Sequence, residues 1–204
     1  TINALYSEAD PPSKLTRNIT DFNAGTPVDR FESEDIPATE DNWEIGIDYE
    51  HRFANSARFK LLSIVNEVNR DSTRERFFSS SAQGIKLKNL FLDNSTRTRE
   101  RIVRSSYTWP LAESQTLEVG IERAQTIFDS SLRMGLNIPG IADLAFGGLV
   151  PVALPIADSK AEEIRYESFI VHNWQISARN SLESSFLFEA SEIKQTGDAQ
   201  NKRD

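Results

Sequence analysis

The stretch WEIGIDYEHRF, residues 43–53, alternates strictly between two chemistries. Trp43, Ile45, Ile47, Tyr49, His51 and Phe53 fall on one side, and Glu44, Gly46, Asp48, Glu50 and Arg52 on the other. A period of two belongs to an extended strand whose successive side chains point to opposite faces. One face of this strand avoids water and the other is acidic, so the apolar face must meet either a protein core or lipid. Strand-like segments recur at 2–7, 58–68, 98–109, 116–127, 163–175 and 181–192, and no segment keeps a helical period. Most of them match the ~9–11 residues that a tilted strand uses to cross a bilayer, and exceed the ~5–6 of an ordinary soluble strand.

The connections alternate in length. Residues 54–57, 110–115 and 176–180 are short, whereas 8–41, 69–97 and 128–162 are long. Tight turns at one end and long loops at the other are the build of an outer-membrane barrel, with the tight turns on the periplasmic side. The three short turns superimpose: HRFANSARFKL, YTWPLAESQTL and HNWQISARNSL. Each has an aromatic residue before the turn (Phe53, Trp109, Trp174) and a leucine beyond it (Leu61, Leu117, Leu182). Each also has His51, Tyr107 or His172 two positions earlier. Aromatic rings at one depth on neighbouring strands make a girdle where hydrocarbon meets water. His51 and His172 suit that interface, and a metal site there lacks further ligands at matched spacing.

The repeat assigns faces. Val103, Tyr107, Leu117, Val119, Ile121, Leu182, Phe186 and Phe188 join the apolar side, and LEVGIE at 117–122 repeats the pattern of WEIGID at 43–48. The opposite side carries the acids Glu44, Asp48, Glu50, Glu118, Glu122, Glu167, Glu183 and Glu189. These line a lumen, where they either border a transport path or hydrate the wall and pair with Arg52, Arg58, Arg104 and an internal domain. Residues 58–68 fit less well: with Leu61 outward, Leu62 and Ile64 turn to the lumen, which calls for a bulge or for packing against an internal domain. Alternation alone suits a soluble antiparallel sheet with one wet face equally well. Strand length, turn asymmetry and the aromatic positions favour the barrel.

Composition narrows the function. The net charge of -8 opposes an electrostatically driven nucleic-acid binder. With no cysteine there is neither a disulfide framework nor a thiolate metal site. The one long apolar run, 134–156, contains Pro139, Pro151 and Pro155 and is not a spanning helix. As an outside loop it offers Phe146, Leu149, Val150 and Leu154 as substrate contacts, or packs against neighbouring loops. The basic run TRTRERIVR at 96–104 faces lipopolysaccharide phosphates or is a solvated loop base. The triplets at 18–20 and 94–96 match the glycosylation signal and read as chance in a bacterial protein. No phosphate-cradling glycine loop and no nucleophile–His–acid set is present, so no enzyme and no cofactor are expected. Thr1 opens without a signal segment and QTGDAQNKRD closes without a final element, so both ends read as cuts.

The stretches DNWEIGIDYEHRFANSARFKLLSIVNEVNRDST, ERIVRSSYTWPLAESQTLEVGIERAQTIFDSS and YESFIVHNWQISARNSLESSFLFEASEIKQTGD resemble barrel hairpins of TonB-dependent receptors from Gram-negative bacteria. The resemblance covers most of the strand-forming chain and fades in the long connections. It implies a plugged barrel of about 22 strands in the outer membrane. It also implies uptake of an iron–siderophore complex, cobalamin or a carbohydrate, energised by the TonB complex. The family's energy-coupling residues find no match on these 204 residues. The expectation is therefore that residues 1–204 form part of one all-β, antiparallel barrel domain. About seven strands leave it incomplete, with two bare edges that cannot stand in lipid. Another barrel class (a porin or an assembly component) and a soluble β-sandwich binding module are the alternatives.

Overall fold

Each alternating segment forms a strand, and each strand runs on well past its alternation. The computed structural model describes residues 1–22, 27–80, 86–155 and 157–197. Ile156 and the polar tail 198–204 lie outside the described residues. The strands are β1 (Ile2–Ala9), β2 (Ser13–Asp21), β3 (Val28–Ile36), β4 (Ala38–Arg52), β5 (Arg58–Ser80), β6 (Leu87–Ala112), β7 (Gln115–Leu136), β8 (Val150–Val152), β9 (Asp158–Ser177) and β10 (Asn180–Gly197). They form one antiparallel sheet in the order β1-β4-β5-β6-β7-β9-β10, with β2 against β3, β3 against β5 and β8 against β7. The sheet is open, and the fold is an all-β meander compatible with an incomplete barrel.

Proline explains two of the three breaks by which ten strands occupy seven positions. The third is β8, which pairs with β7 beyond the end of β9. β1 pairs Ala9 with Glu40, and β2 resumes by pairing Ser13 with Ile36, with no residue gained or lost on either side. β4 pairs Ala38 with Ser72, and β3 continues with Asp35 opposite Glu75. Thus β1–β2 and β3–β4 are each one long strand, cut where Pro11, Pro12 and Pro37 withhold the backbone N–H that a ladder needs. The carbonyl of Pro37 still accepts from the Thr73 N–H at 3.1 Å. The seven predicted strands are these seven positions.

The long connections are shorter than the sequence suggests. Segments 8–41 and 69–97 consist largely of strand: β2, β3 and the far ends of β5 and β6. β5 has 23 residues and β6 has 26. Beyond the apolar band RDSTRER (70–76) is polar on both faces and shows no alternation, although its backbone pairs residue by residue with β6. Cross-strand ion pairs replace apolar contacts there. Lys88 meets Glu75 at 2.7 Å, and Arg99 pairs with Asp129 and Arg133 with Asp93. The segment between β7 and β9 is the long connection that remains. β8 lies against the end of β7, and a 3-10 turn (Leu144–Phe146), capped by the Asp143 side chain on the Ala145 N–H, folds back over the sheet.

No second layer covers either face among the described residues. The buried apolar side chains are Ala38, Ala57, Leu90, Ile127, Leu149 and Phe169, too few to make a core. Of the two explanations offered for 58–68, the bulge is absent, since β5 pairs regularly with β4 and β6 from Arg58 to Ser72. Leu62 and Ile64 do lie on the acidic face, where Ile64 meets Ile102 directly.

Candidate functional site

Pairing fixes which side chains share a face, because directly opposed residues of an antiparallel pair point the same way. From Trp43, Ile45, Ile47 and Tyr49 on β4, the pairs lead to Ile2 and Tyr6 on β1 and to Leu61 and Val65 on β5. They continue to Val103 and Tyr107 on β6 and to Leu117, Val119 and Ile121 on β7. They end on His172 and Ile170 of β9 and on Leu182, Phe186 and Phe188 of β10. All of these share one face. It is exposed: Ile121 is 65% accessible and Phe186 67%.

The edge of this apolar field runs diagonally. Its last apolar residue is Trp43 on β4, Val65 on β5, Val103 on β6 and Ile121 on β7, and each lies one same-face pair nearer the short turns than the one before. The next same-face residue on each strand is charged: Asp41, Glu67, Arg101 and Arg123. On β9 the field rises again through Tyr166 and Ile164. Each step from β4 to β7 is two residues along the strand. Neighbours ~4.8 Å apart at ~35–45° of tilt are offset by about one to one and a half residues, so tilt accounts for the direction of this edge and for only part of its slope. On β4 the field covers Trp43 to Phe53, about 33 Å of strand at ~3.3 Å per residue, or about 25 Å in height at that tilt.

At the short-turn end the aromatic residues touch. His51 meets Phe53 edge-on at 4.5 Å between centroids, Phe53 meets Tyr107 at 5.8 Å and Tyr107 meets Trp109 at 5.7 Å. Trp174 lies farther round, paired with Gln115 and Leu182, and His172 Nε2 lies 3.1 Å from Gln115 Oε1. His51 and His172 are on separate strands, and no group of three His, Cys, Asp or Glu able to hold a metal occurs among the described residues.

The eight acids Glu44, Asp48, Glu50, Glu118, Glu122, Glu167, Glu183 and Glu189 share the opposite face by the same pairing. Glu122, Glu167 and Glu189 form one cross-strand row with Arg104 at its end. Like charges directly opposed destabilise a sheet, and two arginines offset this here. Glu122 accepts from Arg165 at 3.0 Å and from Arg104 at 3.5 Å, and Arg104 also lies 4.4 Å over the Phe169 ring. Gly120 makes room for that ring: a Cβ at Gly120 would come 2.2 Å from Phe169 Cζ, so only glycine fits beneath it. Glu50 pairs with Arg52 at 2.7 Å on its own strand.

A second cluster of the same design sits on this face near the far end of the strands. Glu34 is 3% exposed and takes Arg17 on one oxygen at 3.0 Å and Arg74 on the other at 2.6 Å. The sequence reading placed Glu34 and Arg17 in a loop and so missed it. An acid flanked by arginines on adjoining strands becomes visible only once the strands are paired.

The four candidate loop contacts divide. Leu149 is buried, while Phe146, Val150 and Leu154 are half-buried. The turn packs on Phe91 and Gly135, a directly paired couple, and Lys88 donates to the Gly147 carbonyl at 3.0 Å. The free apolar tips are Ile141 and Leu144, 90% and 92% exposed, which the sequence did not single out. Chemically, the acidic face offers carboxylates and guanidinium groups to a polar ligand, and the loop offers two apolar tips. Compared with known proteins, the chain matches no family model and no curated protein.

Proposed function

We propose that this chain builds part of the wall of an outer-membrane β-barrel receptor of the TonB-dependent type, which takes up a scarce nutrient. The observation that carries the reading is the uncovered apolar field, about 25 Å high with a diagonal charged border and an aromatic chain along its lower edge, which suits hydrocarbon. Further strands would close the barrel, because open edges in lipid leave backbone groups unpaired. The acidic face then lines the lumen. Its apolar island at Leu62, Ile64 and Ile102 supports an internal plug, for which a water-filled porin has no use. The TonB complex, acting through other parts of the receptor, supplies the energy. The ligand is a siderophore complex, cobalamin or carbohydrate, met by the acidic face and by the tips of the loop after β7.

The test is uptake of labelled iron–siderophore, cobalamin and oligosaccharide in host cells lacking the protein, and in cells lacking TonB. Loss of the same one uptake in both strains is expected. Uptake of all three undiminished in cells lacking the protein would overturn the assignment.

A further inference from the structure

We infer that the apolar face holds a specific anionic lipid, with its phosphate between Arg101 and Arg123 and an acyl chain in the groove below them. The inference deepens the membrane reading above and rests on it. Arg101 and Arg123 stand one pair apart on adjacent strands, Arg101 opposite Gln125 and Val103 opposite Arg123. Both lie on the apolar face at its charged border, where basic groups in hydrocarbon are costly. Elsewhere on β5 to β9, Arg70, Arg74, Arg97, Arg99, Arg104, Arg133 and Arg165 each pair with an acid. The two that do not pair with one among the described residues, Arg58 and Arg76, lie on the opposite, acidic face. Among the described residues, neither Arg101 nor Arg123 has a carboxylate within 4 Å. Arg123 instead places Nε 3.4 Å from the Tyr166 hydroxyl and lies 5.9 Å over its ring. That arrangement holds the side chain in place and leaves its terminal nitrogens free for an anion.

The groove begins at Arg123. Ser105 and Ser168 lie on either side of Ile121, each paired directly with it, and the three line a shallow trough between taller neighbours. Val103, Tyr166 and Phe188 wall a space of about 650 Å³ there. The depression continues over the same serines toward the short turns, between Tyr107 and Phe186, for about 440 Å³ more. A cationic pair at the border with an apolar trough running inward complements a lipid whose charge sits at the interface and whose chain points to the midplane.

The test uses the intact protein in detergent, with its thermal midpoint followed on adding phosphatidylglycerol, phosphatidylcholine or inorganic phosphate. Phosphatidylglycerol should raise the midpoint, and the other two should not. Arg101→Gln with Arg123→Gln should abolish the rise, and so should Ser105→Leu, which fills the trough and keeps both charges. An equal rise with phosphatidylcholine, a rise with inorganic phosphate, or an undiminished rise in the variants that fold would overturn the site. Quenching of Trp43, Trp109 and Trp174 by brominated phosphatidylcholine separates the two levels. Quenching without a phosphatidylglycerol preference rejects this site alone, and absent quenching rejects the membrane reading with it.

Discussion

Single side chains on the acidic face decide how tightly neighbouring strands lock. Gly120 and Phe169 are directly paired, and the ring lies where a Cβ of residue 120 would be. Gly120→Ala should therefore cost about 1–3 kcal/mol through overpacking, read from denaturant unfolding. Gly46→Ala, with nothing within 4 Å of the new Cβ, should cost nothing measurable. Equal effects of the two would remove the role given to Phe169. The two shared carboxylates are ranked by burial. The Glu34 side chain is 1% accessible and Glu122 11%, while their arginines are near 40% exposed. Removing one charge from a buried, doubly bonded acid costs more than from a wetter one, and exposed partners reduce both values. Glu34→Gln should lose about 2 kcal/mol and Glu122→Gln about 1, in the same unfolding assay. The reverse order would mean that burial does not control these pairs.

Among the elements, the prolines and the loop after β7 matter most. Pro37 sits opposite Thr73 in a hydrogen-bonded pair but supplies only its carbonyl. Pro37→Val would return an N–H to the ladder and fuse β3 with β4, a gain of about 0.5–1.5 kcal/mol. A fall in the unfolding midpoint would show that the break relieves strain. In the loop, packing and contact are carried by different residues. Leu149→Ala should destabilise by about 2 kcal/mol, at the low end for a buried leucine because the site has one layer only. Ile141→Ser with Leu144→Ser should leave stability within about 0.5 kcal/mol and, under the receptor function proposed above, weaken ligand binding by the intact protein. Ligand affinity unchanged in that double variant would free the loop from any role in recognition.

For the whole molecule, one substitution distinguishes lipid from water. Ile47 lies inside the apolar field, paired with Ile2 and Ser63, and is 45% exposed. In a bilayer Ile47→Lys should cost about 2–4 kcal/mol; on a wet surface it should fall within about 0.5 kcal/mol. Unfolding from lipid vesicles measures the difference, and a cost at the lower figure would remove the field from the membrane. The large-scale form follows from the ladder. Seven positions of consecutive strands, all antiparallel, make a sheet that only curvature and further strands can close.

The strand-like segments 2–7, 43–53, 58–68, 98–109, 116–127, 163–175 and 181–192 were enough to place seven strands. The alternation, with the repeated turns, was enough to sort most side chains into two faces and to join three pairs of strands through tight turns. A period of two is a local property, and each strand carries its own copy. The far halves of β5 and β6 were not legible, because 70–76 and 93–101 are polar on both faces and the apolar clusters at 77–78 and 90–92 do not alternate, so nothing local marks a strand that only its neighbours hold. The Glu34 and Glu122 clusters, the Phe169 ring over Gly120 and the diagonal edge from Trp43 to Ile121 all depend on register between strands. Register is a relation between distant segments, and only the tertiary structure decides it.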